Sequence, residues 1–259
     1  MARQMIPWRA KLKAFSAHFL ISVVVFGGVV AFVAGLYYPP PMFWIDGGVQ
    51  VTLIAASVDI VLGPLLTFVV FRPGKRTLAM NLSVIALLQL AALSWGMYTM
   101  YTERPLLAAF VGYPQNRFFP VTTKQLAQGT RPIEELTAMS DERLPLVFVE
   151  LPTDVDEARR VLLLGLSGET SVLRQTERYR KIEGETLAKV IAGSRRRELY
   201  ARDDPPFAKE IDDFTASHGG TIDDYAIIPL YGRFGRALIA IRRADGRYAG
   251  VMAREFRLR

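Results

Sequence analysis

The sequence predicts a membrane α-helical bundle of three transmembrane helices followed by a C-terminal mixed α+β extracytoplasmic domain. Three observations carry this. Three long apolar runs crowd into the first hundred residues, joined by connections of only about ten and six residues. Seven Lys and Arg and two acids occupy residues 1–100, against twenty-five and twenty-three in residues 101–259. The last part of the chain alternates apolar and polar residues in strand fashion around an Asp-Gly turn.

Residues 1–18 form a basic entry segment with Arg3, Arg9, Lys11 and Lys13. The bundle occupies 19–100, with spans at about 19–38, 49–71 and 78–100. A helix rises 1.5 Å per residue, so about twenty residues cross a hydrocarbon layer of roughly 30 Å. One such run can hide in a soluble core; three in succession leave no polar face. The apolar part of the first run exceeds a signal-peptide core, and "AFVAGLYYPPP" offers no small-x-small cleavage site, so it is expected to remain as a span.

Orientation follows from the short loops, because basic residues beside a span stay on the cytoplasmic side. The loop "PPPMFWIDGG" has one acid, Asp46, and no base, while "RPGKRT" has Arg72, Lys75 and Arg76. The N-terminus is therefore expected inside, the first loop outside, and residues 101–259 outside. Tyr37, Tyr38, Phe43, Trp44, Tyr98 and Tyr101 fit an interfacial aromatic belt. The net charge of +7 gathers at the membrane edge, which argues against a nucleic-acid partner.

Within the spans, Gly27, Ala31 and Gly35 repeat every four residues and make a face on which two helices can approach closely. Asp59, in "IAASVDIVLGPLLTFVVF", is the sharpest feature. An acid at mid-bilayer is expensive, which makes it a functional candidate for partner binding or for a conformational role. The structural alternative is a tie to Gln89, to Ser57, or to the Ile60 carbonyl that Pro64, lacking an amide, leaves without its helical donor. Gly63 and Pro64 are expected to disrupt the helix, and Gln89 lies near the middle of its own span. Ala55, Asp59 and Gly63 share one face.

Beyond the spans, "TERPLLAAFVGYPQNRFFPV" reads as extended segments broken by Pro105, Pro114 and Pro120. "TTKQLAQG" and "RPIEELTAMS" read as short helices, and "LPLVFVELP" as a strand. "TDVDEARRVLLLGLSG" reads as a helix capped by Thr153 or Asp154. "EGETLAKVIAGSRRRELYAR" reads as a helix broken at Gly193, and "PPFAKEIDDFTASHGG" as another ending at Gly219. "DYAIIPLYGR", "RALIAIRRADGR" and "RYAGVMAREF" read as three strands. No catalytic set emerges: Ser167 lies in "GLSGET", which is not a nucleophile elbow. His18, at the edge of span one, and His218 have no second ligand beside them, so no metal site is expected. There is no cysteine. The basic cluster in "SRRRELYAR" reads as a solvated helix face, with headgroup or partner contact as the alternative.

The stretches "YYPPPMF", "VDIVLGPLLTFVVFRPGK", "LSVIALLQLAALSWGMYTMYTERP" and "IPLYGRFGRALIAIRRADGRYAGV" resemble the TfpX/TfpZ family of type IV pilin accessory proteins, and the likeness runs along the whole chain. The resemblance implies a protein of the bacterial inner membrane with a periplasmic C-terminal domain. It implies a chaperone-like role toward the cognate major type IV pilin in pilus assembly or pilin stability, without enzymatic activity, cofactor or small-molecule substrate. Asp59 would then be a polar docking point for the pilin span. Two alternatives stay open: a pilin-modifying enzyme of lipid-linked glycosyl transfer, which would present several outward acids, and a tethered sensor, which would need a cytoplasmic output module.

Overall fold

The structure, a computed structural model, describes residues 8–166, 171–203 and 205–256. Two compact units emerge. The first takes the described residues up to Tyr37 together with Gly48–Tyr101, and the second takes Tyr38–Gly47 with the described residues from Thr102 onward.

The first unit is built from three helices long and apolar enough to cross a membrane, Trp8–Leu36, Gly48–Val70 and Leu78–Thr102. The first is already helical from Trp8, well before Phe19. Its added turns are held by the end of the second helix: Trp8 and Phe15 pack on Phe68 with ring centroids 5.8 and 6.2 Å apart. Lys11 Nζ donates to the Val69 carbonyl at 3.1 Å. That carbonyl belongs to the last turn, where no helical donor remains, so a lysine there caps the helix and meets the negative end of its dipole. The inward face of the first helix carries Ser22, Phe26 and Val33.

The second helix does not break at Gly63-Pro64. It widens into a π-helical stretch, Ser57–Leu62, and resumes as an α-helix from Gly63 to Val70. A π turn inside an α-helix absorbs a residue that cannot donate in the ordinary register.

The second unit is a seven-stranded mixed sheet in the order β4-β3-β1-β2-β5-β6-β7. The strands are β1 (Pro105–Val111), β2 (Arg117–Thr122), β3 (Leu146–Val149), β4 (Tyr179–Arg180), β5 (Tyr225–Tyr231), β6 (Gly235–Arg242) and β7 (Tyr248–Phe256). β1–β2, β3–β4, β5–β6 and β6–β7 pair antiparallel, whereas β1–β3 and β2–β5 are parallel. Alternate residues of a strand face opposite sides. Leu107, Ala109 and Val111 of β1 therefore join one core with Val147, Val149 and Tyr179, while Phe110 meets Phe118 and Phe148. A second core gathers Phe207, Ile211 and Phe214 of the helix Pro205–His218 against Tyr225, Ile227, Leu238 and Met252.

Several elements form for the reasons visible in the sequence. Asp154 Oδ1 accepts from the Glu157 amide at 2.8 Å at the start of the helix Val155–Leu166. Thr122 and Gln125 make a reciprocal capping box for the turn Thr123–Leu126. Pro120, expected to interrupt the chain, sits inside β2. The basic cluster is largely consumed internally: Arg195 lies over the Tyr200 ring, Arg197 pairs with Asp212, and Arg202 pairs with Asp203. Ser167 lies outside the described residues.

Segment Tyr38–Gly47 differs most from the sequence reading. Tyr38, Met42 and Ile45 are almost fully buried, and the Ile45 carbonyl accepts from the Phe234 amide at 2.9 Å. Tyr38 thus belongs to the core of the second unit and not to an aromatic belt, because a Tyr beside Pro39 and a one-turn helix, Met42–Ile45, can fold back onto strands.

Candidate functional site

The first unit's polar site grows from the backbone. In the α register Pro64 would strand the Ile60 carbonyl, four residues back. In the π register hydrogen bonds reach five residues back, as shown by the Gly63 amide, which goes to the Val58 carbonyl. The carbonyl that Pro64 strands is then that of Asp59. Gln89 of the third helix fills the gap, its Nε2 donating to the Asp59 main-chain oxygen at 3.1 Å. The expected tie between Gln89 and Asp59 is present, but it runs to the backbone. Gly63 makes room for it, since a Cβ there would collide with the Gln89 amide.

This bond also orients Gln89. With Nε2 committed to Asp59, Oε1 faces His18, whose Nε2 lies 2.9 Å away. An amide oxygen only accepts, so His18 Nε2 carries a proton. His18 Nδ1 stands 2.6 Å from Thr67 Oγ1. In the neutral ring Thr67 donates to Nδ1; in the charged ring the direction reverses. One imidazole therefore ties together all three helices, with Thr67 fully inside the bundle. Sequence reading set His18 aside at the membrane edge. The signal that would have found it is spacing: His18, Ser22 and Phe26 are four apart, on the helix's inward face.

Asp59 is only 6% exposed, and its Oδ1 has no hydrogen-bond partner among the described residues. Ser57, a candidate partner, donates instead to its own helix at the Ile54 carbonyl, 2.6 Å away. Asp59, Gly63, Pro64 and Gln89 are thus brought together. Gly27, Ala31 and Gly35 are not: all three are exposed, and a Cβ at Gly27 or Gly35 would meet nothing within 4 Å.

A second polar centre lies within the second unit. Asp46, at 2% exposure, accepts from the Arg233 amide at 3.1 Å and from its Nε at 3.2 Å. Arg233 Nη2 donates to the Asp46 carbonyl at 3.0 Å, and its Nη1 reaches Glu103 at 3.4 Å. Burial pushes the Asp46 carboxyl above the usual range, and Arg233 pulls it partway back. Burial also raises the Tyr38 hydroxyl to about 12. Gly232 lets this turn approach, because a Cβ there would strike the Ile45 carbonyl. Among the described residues no group of His, Asp and Glu is placed to hold a metal ion. His218 stacks on Phe214, 3.9 Å between ring centroids, at a helix end.

No family model matches the chain, and no solved structure does. Three curated proteins of Dichelobacter nodosus are similar to it. The fimbrial assembly protein of serogroup E1 is 33% identical over 112 residues, 42% of this chain and 43% of that protein. That of serogroups C1 and C2 is 32% identical over 112 residues, 42% of this chain and 84% of that protein. That of serogroup I is 32% identical over 112 residues, 42% and 43%. The match thus spans less than half of the serogroup E1 and I proteins.

Proposed function

Because this chain belongs to the family of the Dichelobacter fimbrial assembly proteins, we propose that it is an inner-membrane accessory protein that binds its cognate type IV pilin. In this reading it supports pilus assembly or pilin stability, chaperone-like, with no catalytic step of its own. Its N-terminus is cytoplasmic and its C-terminal domain periplasmic. The loop charges support that orientation. The union of Tyr38–Gly47 with the residues after Thr102 in one unit supports placing the first connection and the domain on the same side of the bilayer, whichever side that is.

The observation that carries the reading is the Asp59 carboxylate. It is held inside the bundle, where Ser57 donates to its own helix and Gln89 Nε2 to the Asp59 main chain, and its Oδ1 has no donor among the described residues. A polar group left unpaired in hydrocarbon costs free energy that a structural role does not return. A partner span offering a donor at that depth removes the cost. The exposed face of Gly27, Ala31 and Gly35 gives such a span room for close backbone approach.

The test is co-purification of pilin with Asp59→Asn and Asp59→Leu proteins, alongside their membrane levels. Because Gln89 already meets the Asp59 backbone, both variants are expected to accumulate normally. Pilin recovery should fall with Asp59→Leu and more weakly with Asp59→Asn. Wild-type recovery by a stable Asp59→Leu protein would remove the docking role.

A further inference from the structure

The second unit contains a cleft of about 620 Å3 lined by β2, by the turn after β5, and by Lys124, Arg174, Asp46 and Glu103. Its origin lies in the strand ladder. β2 and β5 run parallel and are bridged at Phe118 and Leu230. The Ala108 amide donates to the Pro145 carbonyl, away from β2. Its antiparallel partner Pro120 therefore turns its own backbone away from β1 and toward β5. Proline has no N–H to offer there. The next residue facing that way, Thr122, gives its N–H to Gln125 Oε1 at 2.9 Å. With both donors missing, and with β5 ending at Tyr231 one residue past the bridge, the ladder goes no further, and β2 and the turn after β5 border the cleft.

The same facts say how the slot can be read. An inserted strand would find few donors on the β2 side, so recognition falls to side chains. Their accessible charge is positive. Lys124 and Arg233 side chains are 63% and 47% exposed, against 26% for Glu103 and 3% for Asp46. Glu103 is shared between Lys124 and Arg233, and Asp46 is sealed under Arg233. Arg174 is exposed and has no ion-pair partner among the described residues. Phe119, Pro120 and Tyr231 supply apolar walls between these cations. The volume lies in the range of sites that take small ligands.

We infer that this cleft binds a carboxylate-bearing peptide segment of a partner protein, with Arg174 and Lys124 reading the acidic side chains over a floor neutralised by Arg233. A peptide side chain can reach into a recess between strands, which a flat lipid surface cannot do. The inference rests on the reading that this chain binds a protein partner.

The test uses the full chain in phosphatidylcholine nanodiscs and a fluorescein-labelled decapeptide of alternating Glu and Ser, with the Gln analogue as control. Saturable binding of the Glu peptide is expected, weakened about tenfold by Arg174→Glu and less by Lys124→Gln. Arg159→Glu, a surface change outside the cleft lining, should leave it unchanged. Thermal melts of each variant establish that folding is retained, and Lys124→Gln reads the cleft if Arg174→Glu does not fold. Absent binding, equal binding of the Gln peptide, or equal loss with Arg159→Glu would overturn the inference. Arg174-dependent binding to phosphatidylglycerol vesicles with which the peptide does not compete would overturn it in favour of a lipid. Peptide capture is measured without pilin, and pilin co-purification in a separate experiment: protein that captures peptide but no pilin defeats the earlier reading, and protein that captures pilin but no peptide defeats this one.

Discussion

In the first unit the exposed side chains include Leu20, Ile21, Val24, Leu53, Ile54, Leu87, Leu88 and Trp95, while the polar Ser22, Asp59 and Thr67 are buried beside Phe26 and Val33. In the second, Phe110, Phe118, Ile211 and Ile228 are fully inside, and ion pairs such as Arg180–Glu150 and Lys189–Glu185 lie at the surface, with Asp46, buried under Arg233, as the exception. The distribution of polarity is inverted because the two units face different solvents. Against hydrocarbon, apolar burial drives nothing, and helices are held by close packing and by hydrogen bonds from side chains to stranded backbone groups. Against water, burial of apolar strands holds the fold, and polar groups inside it need full partners.

The contrast can be broken at two glycines that permit close approach. Gly232 abuts the Ile45 backbone carbonyl, which cannot move aside, whereas Gly63 abuts only the end of the Gln89 side chain. Gly232→Ala is expected to cost about 1–3 kcal/mol or more by overpacking. Protease nicking in residues 38–47 should rise. Gly63→Ala should displace Gln89 and cost about 1 kcal/mol, since its hydrogen bonds are lost but the helices remain. Denaturant titration in micelles, read separately for each unit, checks the order; an equal or greater effect at Gly63 would mean the bundle is the more tightly constrained unit.

The bundle's dependence on backbone repair can be measured by a double-mutant cycle. Gln89→Leu alone should destabilise the bundle by about 1 kcal/mol, because the Asp59 carbonyl loses its donor. In a Pro64→Ala background the new amide can reach that carbonyl, so the cost of Gln89→Leu should shrink toward zero. Additive effects would show that Gln89 acts only through His18.

The smallest expected effect is a pH dependence confined to the second unit. Burial raises the Asp46 carboxyl in the folded state, so the fold holds this proton more tightly than the unfolded chain. Its contribution to stability is therefore full below the unfolded carboxylate range and is lost as pH rises through the folded value. The melting temperature of the wild type relative to Asp46→Asn should be higher at about pH 5 than at about pH 8. Glu142, also raised by burial, shifts both proteins alike and cancels in the difference. A difference that grows with pH would show that the Arg233 pair outweighs burial.

Much of the fold is legible locally. Span length, loop charge, the Asp154 cap, the Pro205–His218 helix and the Asp245-Gly246 hairpin all depend on neighbours within a few residues. The meeting of Gln89 with Asp59 was legible as two polar groups at one depth. Its form was not, because the carbonyl that Pro64 strands depends on whether the helix runs in the α or the π register.

By itself, then, the sequence determined the three apolar helices, their short connections and the mixed α+β domain, because hydropathy, capping and turn chemistry act over short distances. Only the tertiary structure decided that His18 joins three helices, that Tyr38–Gly47 folds into the second unit, and that Asp46 finds Arg233. The residues of that ion pair are 187 positions apart. Such pairings arise from strand order and helix packing, which no local pattern in the chain encodes.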